Sequence, residues 1–142
     1  MNTFLPYSDF KKSASCLDNK RLGKQRVEAW QIYLSLIEEK YGWKNHPAVK
    51  MWRGYEISLL LYGIAICDEW ISRGFKDTLK AKFEAELTIV IVAREGIKHP
   101  PFLGNEDFHK AMRSNLLRKD FSWYSKFGWT ESNDLPYIWG IK

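Results

Sequence analysis

The stretch Arg21-Leu22-Gly23-Lys24-Gln25-Arg26-Val27-Glu28 sets one carboxylate among cations near the start of a 142-residue chain. A helix beginning near Asp18 carries Arg21, Gln25 and Glu28 on one face, because i, i+4 and i+7 coincide at 3.6 residues per turn. Val27, Trp30, Leu34 and Ile37 then form an adjacent apolar stripe, the expected core face. The helical pattern runs to about Lys40 and ends before Gly42.

Outward from this helix, the same spacing of three and four recurs. Met1 to Phe10 reads as an extended arm, since Pro6 and the Ser8-Asp9 pair oppose helix. Trp43-Lys44-Asn45-His46-Pro47 reads as a turn in which Asn45 caps and Pro47 takes the first helical position. One long helix is expected through Val49, Trp52, Tyr55, Leu59, Tyr62, Ile66 and Trp70, closing at Arg73-Gly74. A third opens at Asp77 or Thr78 and carries Leu79, Phe83, Leu87, Val90 and Ala93. Its β-branched portion, Thr88 to Val92, also fits a strand. Gly96 to Gly104, with Pro100-Pro101, is a loop, and Asn105-Glu106-Asp107 starts a short helix through Leu117. The aromatic tail from Phe121, interrupted by Gly128, Pro136 and Gly140, is expected to be irregular but packed. With no repeat or linker visible, the expectation is a single compact all-α domain, residues 1–142.

The chain is long enough to bury a core without covalent staples. Its formal charge of +5 and pI near 9.2 favour a polyanionic partner without naming one. Seven tryptophans exceed what so small a core can hold with every indole N–H partnered, so some are expected at the surface as stacking or interface groups. Cys16 and Cys67 form no CxxC or Cys/His cluster, which argues against a disulfide framework and a structural zinc site. The apolar run Leu59 to Cys67 is too short to span a bilayer, and the start shows no signal-peptide pattern. A cytoplasmic protein is the expectation.

Glu28 has two readings. On an exposed helix it is an i−4 ion-pair partner of Lys24, worth a few tenths of a kcal/mol. In a cleft, Arg21 and Arg26 would hold it ionised, which suits a general base. A lone acid in basic surroundings near the amino terminus also matches what amine-plus-carboxylate chemistry on a DNA sugar requires. His46 is a candidate pocket residue, whereas His99 and His109 look like surface histidines, and the three are too scattered to ligate a metal. Trp123 and Tyr124, with Arg113, Arg118 and Lys119 upstream, could stack on bases beside phosphate-binding cations, or could roof the core.

In these blocks the chain resembles the endonuclease V type pyrimidine-dimer DNA glycosylases, small all-α enzymes first known from bacteriophage. Leu22 to Glu28 is similar to the family's catalytic helix. His46, followed by a long helix closing at Arg73-Gly74-Phe75, is similar to its central histidine and helix ending. Trp123-Tyr124 with Phe127-Gly128 is similar to its aromatic carboxy-terminal segment. The resemblance implies a DNA glycosylase and β-elimination lyase that needs no cofactor or metal and acts on duplex DNA, naturally as a monomer. The amino-terminal amine, here on Met1, would be the nucleophile and Glu28 the acid/base group. Arg21, Lys24 and Arg26 would contact phosphates, Asn45 and His46 would line the pocket, and Trp123 and Tyr124 would pack beside the lesion. An α-amine titrates near pH ~8, which leaves a neutral nucleophilic fraction without special tuning. The chain departs from the family in carrying Asn2 where a threonine amine is normally exposed, and Val27 and Gln31 where arginines flank the glutamate. The alternative is a helical DNA-binding module that kept the fold and lost the chemistry.

Overall fold

A computed structural model describes residues 1–38, 40–93 and 96–139. Among these the chain is all-α, with helices α1 (Phe10–Cys16), α2 (Asn19–Ile37), α3 (Pro47–Lys50), α4 (Glu56–Ser72), α5 (Lys80–Ala93), α6 (Glu106–Lys119) and α7 (Phe121–Tyr124). Local chemistry sets most boundaries. Asp18 caps α2 by accepting from the Arg21 N–H, and Asn105 caps α6 by accepting from the Phe108 N–H. α6 also has Glu106 and Asp107 in its first turn and Arg118 and Lys119 in its last, matching the helix dipole at both ends.

α4 is the central element and packs against α1, α2 and α5. Its buried set, including Ile57, Leu59, Leu60, Tyr62, Ile66 and Cys67, reaches round most of the helix, as expected for a helix covered on several sides. Two close approaches fix it. A Cβ on Gly23 of α2 would sit 2.8 Å from the Trp70 ring, and one on Gly63 would sit 2.4 Å from Phe83. Gly63→Ala is therefore expected to cost about 1–3 kcal/mol through overpacking against the fully buried Phe83, read as a lower thermal midpoint. An unchanged midpoint would refute the α4–α5 contact.

Several sequence expectations need correction. The core face of α2 is Leu22, Gln25, Ala29, Ile32 and Tyr33, not the stripe through Val27 and Ile37, which are 43% and 46% exposed. Trp30 and Leu34 are half-buried. The rotation arises because polar Gln25 and small Ala29 lie inward, and apolar periodicity does not register either. α1 was not anticipated: Asp9 caps it by accepting from the Lys12 N–H at 2.7 Å, but seven residues are too few for a periodic signal. The expected long helix from Val49 is broken. Gly54 takes a left-handed φ of +90°, separating α3 from α4 where a side chain would be strained. The helix N-cap before Pro47 is His46, not Asn45. Thr88 to Val92 stays within α5, as the helical reading expected and against the strand alternative, with Thr88 Oγ1 donating to the Glu84 carbonyl at 3.0 Å. The tail includes α7 and a 3-10 turn, Ser125–Phe127, before its irregular stretch; Gly140 lies outside the described residues. Cys16 and Cys67 are free and buried, and no described helix is long and apolar enough to cross a membrane.

Candidate active site

The amino-terminal arm is extended, and it runs through the core instead of over the surface: Asn2, Thr3, Phe4, Leu5 and Pro6 are buried. A buried strand without a neighbouring strand must satisfy its backbone in another way, and here side chains do so. Gln25 acts like an adjacent strand, with Nε2 donating to the Asn2 carbonyl at 2.6 Å and Oε1 accepting from the Phe4 N–H at 2.9 Å. The Tyr62 hydroxyl donates to the Phe4 carbonyl at 2.8 Å, and the Trp52 indole donates to Thr3 Oγ1 at 3.1 Å. His109 bonds the Leu5 carbonyl through Nδ1 at 2.8 Å and accepts from the Gly104 N–H through Nε2 at 2.9 Å. Arg113 donates to the Pro6 carbonyl at 2.7 Å. His109 is thus a buried structural residue, not a surface histidine. Its burial lowers its pKa, and its two bonds fit the neutral ring.

This clamping delivers the start of the chain to Glu28. The Asn2 N–H donates to Glu28 Oε2 at 3.0 Å, so the Met1 amine stands one residue from that carboxylate. Glu28 Oε1 faces Lys24 Nζ at 3.7 Å. The surface ion pair is therefore present, but Lys24 is 72% exposed while Glu28 is 14% exposed, so the carboxylate is the sheltered partner. Both border a groove of about 460 Å³ lined by Met1, Asn2, Phe4, Lys20, Arg21, Lys24, Gln25, Glu28, His46, Lys119, Tyr137 and Trp139.

The cations of this groove outnumber its one carboxylate, giving positive potential over the chain start. His46 lines the same groove. Its Nδ1 accepts from the Ala48 N–H at 3.0 Å, which leaves the proton on Nε2, the nitrogen free to donate. Burial and then the positive chain start lower its pKa, opposed by Glu28, so the ring is neutral at pH 7. Trp139 meets it edge-on, with centroids 5.9 Å apart, and Tyr137 packs on Trp139 at 5.4 Å.

Of the residues singled out in the sequence, the groove gathers Met1, Arg21, Lys24, Glu28 and His46. Arg21 shares its charge with Asp18 at 3.3 Å. The others lie elsewhere. Arg26 is paired with Asp77 and stacked on Trp70. Asn45 is exposed in the turn before α3. Tyr124 is fully buried and donates to Asp18 Oδ1; Trp123 donates to the Cys16 carbonyl at 2.8 Å and carries Lys126 over its ring. Buried Tyr124 cannot pack beside a lesion, and neither ring borders the groove. Burial alone would raise the Asp18 pKa, but bonds from Tyr124 and Arg21 outweigh it and hold the carboxyl below its usual range.

Lys20, Lys119, Tyr137 and Trp139 were not singled out, and Gln25 was placed on the Arg21–Glu28 face without a role. Lys20 was findable, since it sits one turn before Lys24 on the same face. Tyr137 and Trp139 carried no local signal.

The family model for pyrimidine dimer DNA glycosylases matches residues 1–83. The chain belongs to that family. Its substrate class is therefore DNA, and the matched span carries the arm, Glu28 and His46. No curated protein and no solved structure is significantly similar. Residues beyond the match complete the glycosylase-family groove, because Lys119, Tyr137 and Trp139 all follow residue 83. The same is true of His109 and Arg113, which hold the arm.

Proposed function

We propose that this chain is a DNA glycosylase with associated AP lyase activity, acting on a damaged or modified pyrimidine in duplex DNA through the Met1 amine and Glu28. The observation that carries this reading is the hydrogen bond from the Asn2 N–H to Glu28 Oε2, which brings the carboxylate within one residue of the terminal amine in a groove that both Met1 and Glu28 line. Family membership supports the glycosylase step. Support for the lyase step is the presence of the Met1 residue and the Glu28 carboxylate in one groove.

In that chemistry the neutral amine attacks C1′ of the sugar. The C1′–N bond to the base breaks with its electron pair on the base, which is protonated as it leaves. The C1′–O4′ bond opens, O4′ takes a proton, and a protonated imine joins Met1 to C1′. The positive imine acidifies C2′, and Glu28 removes a proton there. The electron pair moves into the C1′–C2′ system, the C3′–O3′ bond breaks, and the 3′ phosphate departs. Water then releases Met1. Glu28 serves as the base because its oxygens are aimed at the chain start. The capped Nδ1 of His46 excludes that ring as a proton acceptor at Nε2 and makes it a donor to a sugar or phosphate oxygen. Lys20, Arg21, Lys24 and Lys119 suit backbone phosphates.

Borohydride is expected to trap a one-to-one covalent adduct between the protein and an abasic duplex, with the modified peptide beginning at Met1. Acetylation of the α-amine should abolish trapping while leaving duplex binding intact. A protein that binds abasic duplex but yields no adduct would be the non-catalytic module instead, and would overturn the lyase assignment.

A further inference from the structure

The cationic groove continues onto an exposed ring that no step above employs. Trp52, Trp70, Trp123 and Trp129 each spend their indole N–H inside the protein, on Thr3, Lys76, Cys16 and Tyr7. Trp30 packs between Tyr33 and Phe83, and Trp139 packs against Tyr137 and His46. Trp43 differs. It is 48% exposed and meets His46, a groove-lining residue, at 6.0 Å between centroids and 71° between planes.

The turn that presents Trp43 is held in place. The His46 N–H donates to the Trp43 carbonyl at 3.0 Å, and Arg53 donates to the Lys44 carbonyl at 3.3 Å. Lys40 and Lys44 flank the ring in sequence. Exposing a large apolar face is costly in water, and it is useful where that face will be buried against another π-system between two phosphate contacts. Phe75 and Phe121, also exposed among the described residues, offer no such setting: Phe75 stacks on Trp70 at 4.2 Å, and neither ring lines the groove.

We propose that Trp43 is the stacking wedge of this protein, entering the base stack of duplex DNA beside the nucleotide held in the groove. A glycosylase must take its target out of the stack, and the gap left behind costs a few kcal/mol unless something fills it. An indole anchored one ring away from the groove, on His46, fills that gap while the groove cations hold the strand. The proposal rests on the duplex-DNA reading above and is independent of the Schiff-base chemistry.

The test uses a tetrahydrofuran abasic analogue, which cannot form an imine, in a duplex with 2-aminopurine opposite the site, and the same tetrahydrofuran strand single-stranded. Trp43→Ala is expected to weaken duplex binding about ten-fold and to blunt the 2-aminopurine fluorescence change, with a smaller loss on the single strand, which has no stack to open. Trp43→Phe, which keeps a stacking face, should retain most of the duplex preference. Unchanged duplex affinity in Trp43→Ala, or an equal loss on duplex and single strand, would overturn the assignment. Because no adduct forms on this substrate, failure of borohydride trapping on true abasic DNA leaves this readout intact.

Discussion

Glu28→Gln is expected to slow nicking of abasic duplex DNA by about 10²- to 10⁴-fold while leaving the Kd for that duplex unchanged. The substitution is nearly isosteric. The amide oxygen can still accept from the Asn2 N–H that now meets Glu28 Oε2 at 3.0 Å, so the arm keeps its place. What is lost is the ability to take a proton from C2′, together with the negative charge facing Lys24. Neither loss weakens the phosphate contacts proposed for Lys20, Arg21 and Lys119. Single-turnover nicking and equilibrium binding on the same duplex separate the two effects. A variant that nicks within a few-fold of wild type would remove Glu28 from the chemistry.

The second large effect concerns the arm. Arg113→Met is expected to destabilise the fold by about 3–5 kcal/mol, seen as a fall of about 10 °C or more in the thermal midpoint of a chain this size. Arg113 is 10% exposed and bridges the Pro6 carbonyl, Glu106 and Glu131. Glu131 is 12% exposed, and its Oε2 already lacks a partner. Removing the cation leaves that carboxylate sheltered and uncompensated, which is the costly way to break such a pair. Glu131→Gln in the same chain should therefore recover part of the loss. A midpoint within about 3 °C of wild type for Arg113→Met would show that the cluster is more hydrated than its burial indicates.

These two effects share one logic: the proposed chemistry depends on a buried extended segment held almost wholly by side chains. Nothing local marks Gln25, Tyr62, His109 and Arg113 as a set, because they come from α2, α4 and α6. Each reads alone as an ordinary polar residue in an amphipathic helix. His109 reads as a surface histidine for that reason, although the residue is 2% exposed and its ring is bonded at both nitrogens.

Element identity was legible wherever a local interaction decides it. Three-and-four spacing announced α2 and the body of α4, Asp18 and Asn105 marked where α2 and α6 begin, and Arg73-Gly74 announced the end of α4. These depend on hydrogen bonds and packing within a turn or two, so a short window contains their cause. The family resemblance was legible on the same terms, since Leu22 to Glu28, His46 and Arg73-Gly74-Phe75 lie within the matched span.

Helix rotation and the far wall of the groove were decided only in three dimensions. Whether Arg26 faces DNA or Asp77 depends on which side of α2 meets α4 and the arm. That side was set by the buried amide of Gln25, which is paired with backbone groups more than twenty positions away. Likewise Lys119, Tyr137 and Trp139 reach Met1 and His46 only because the chain returns after α6. Periodicity tells a helix that it has an inside; only the partners that fill that inside determine which residues remain to meet a substrate.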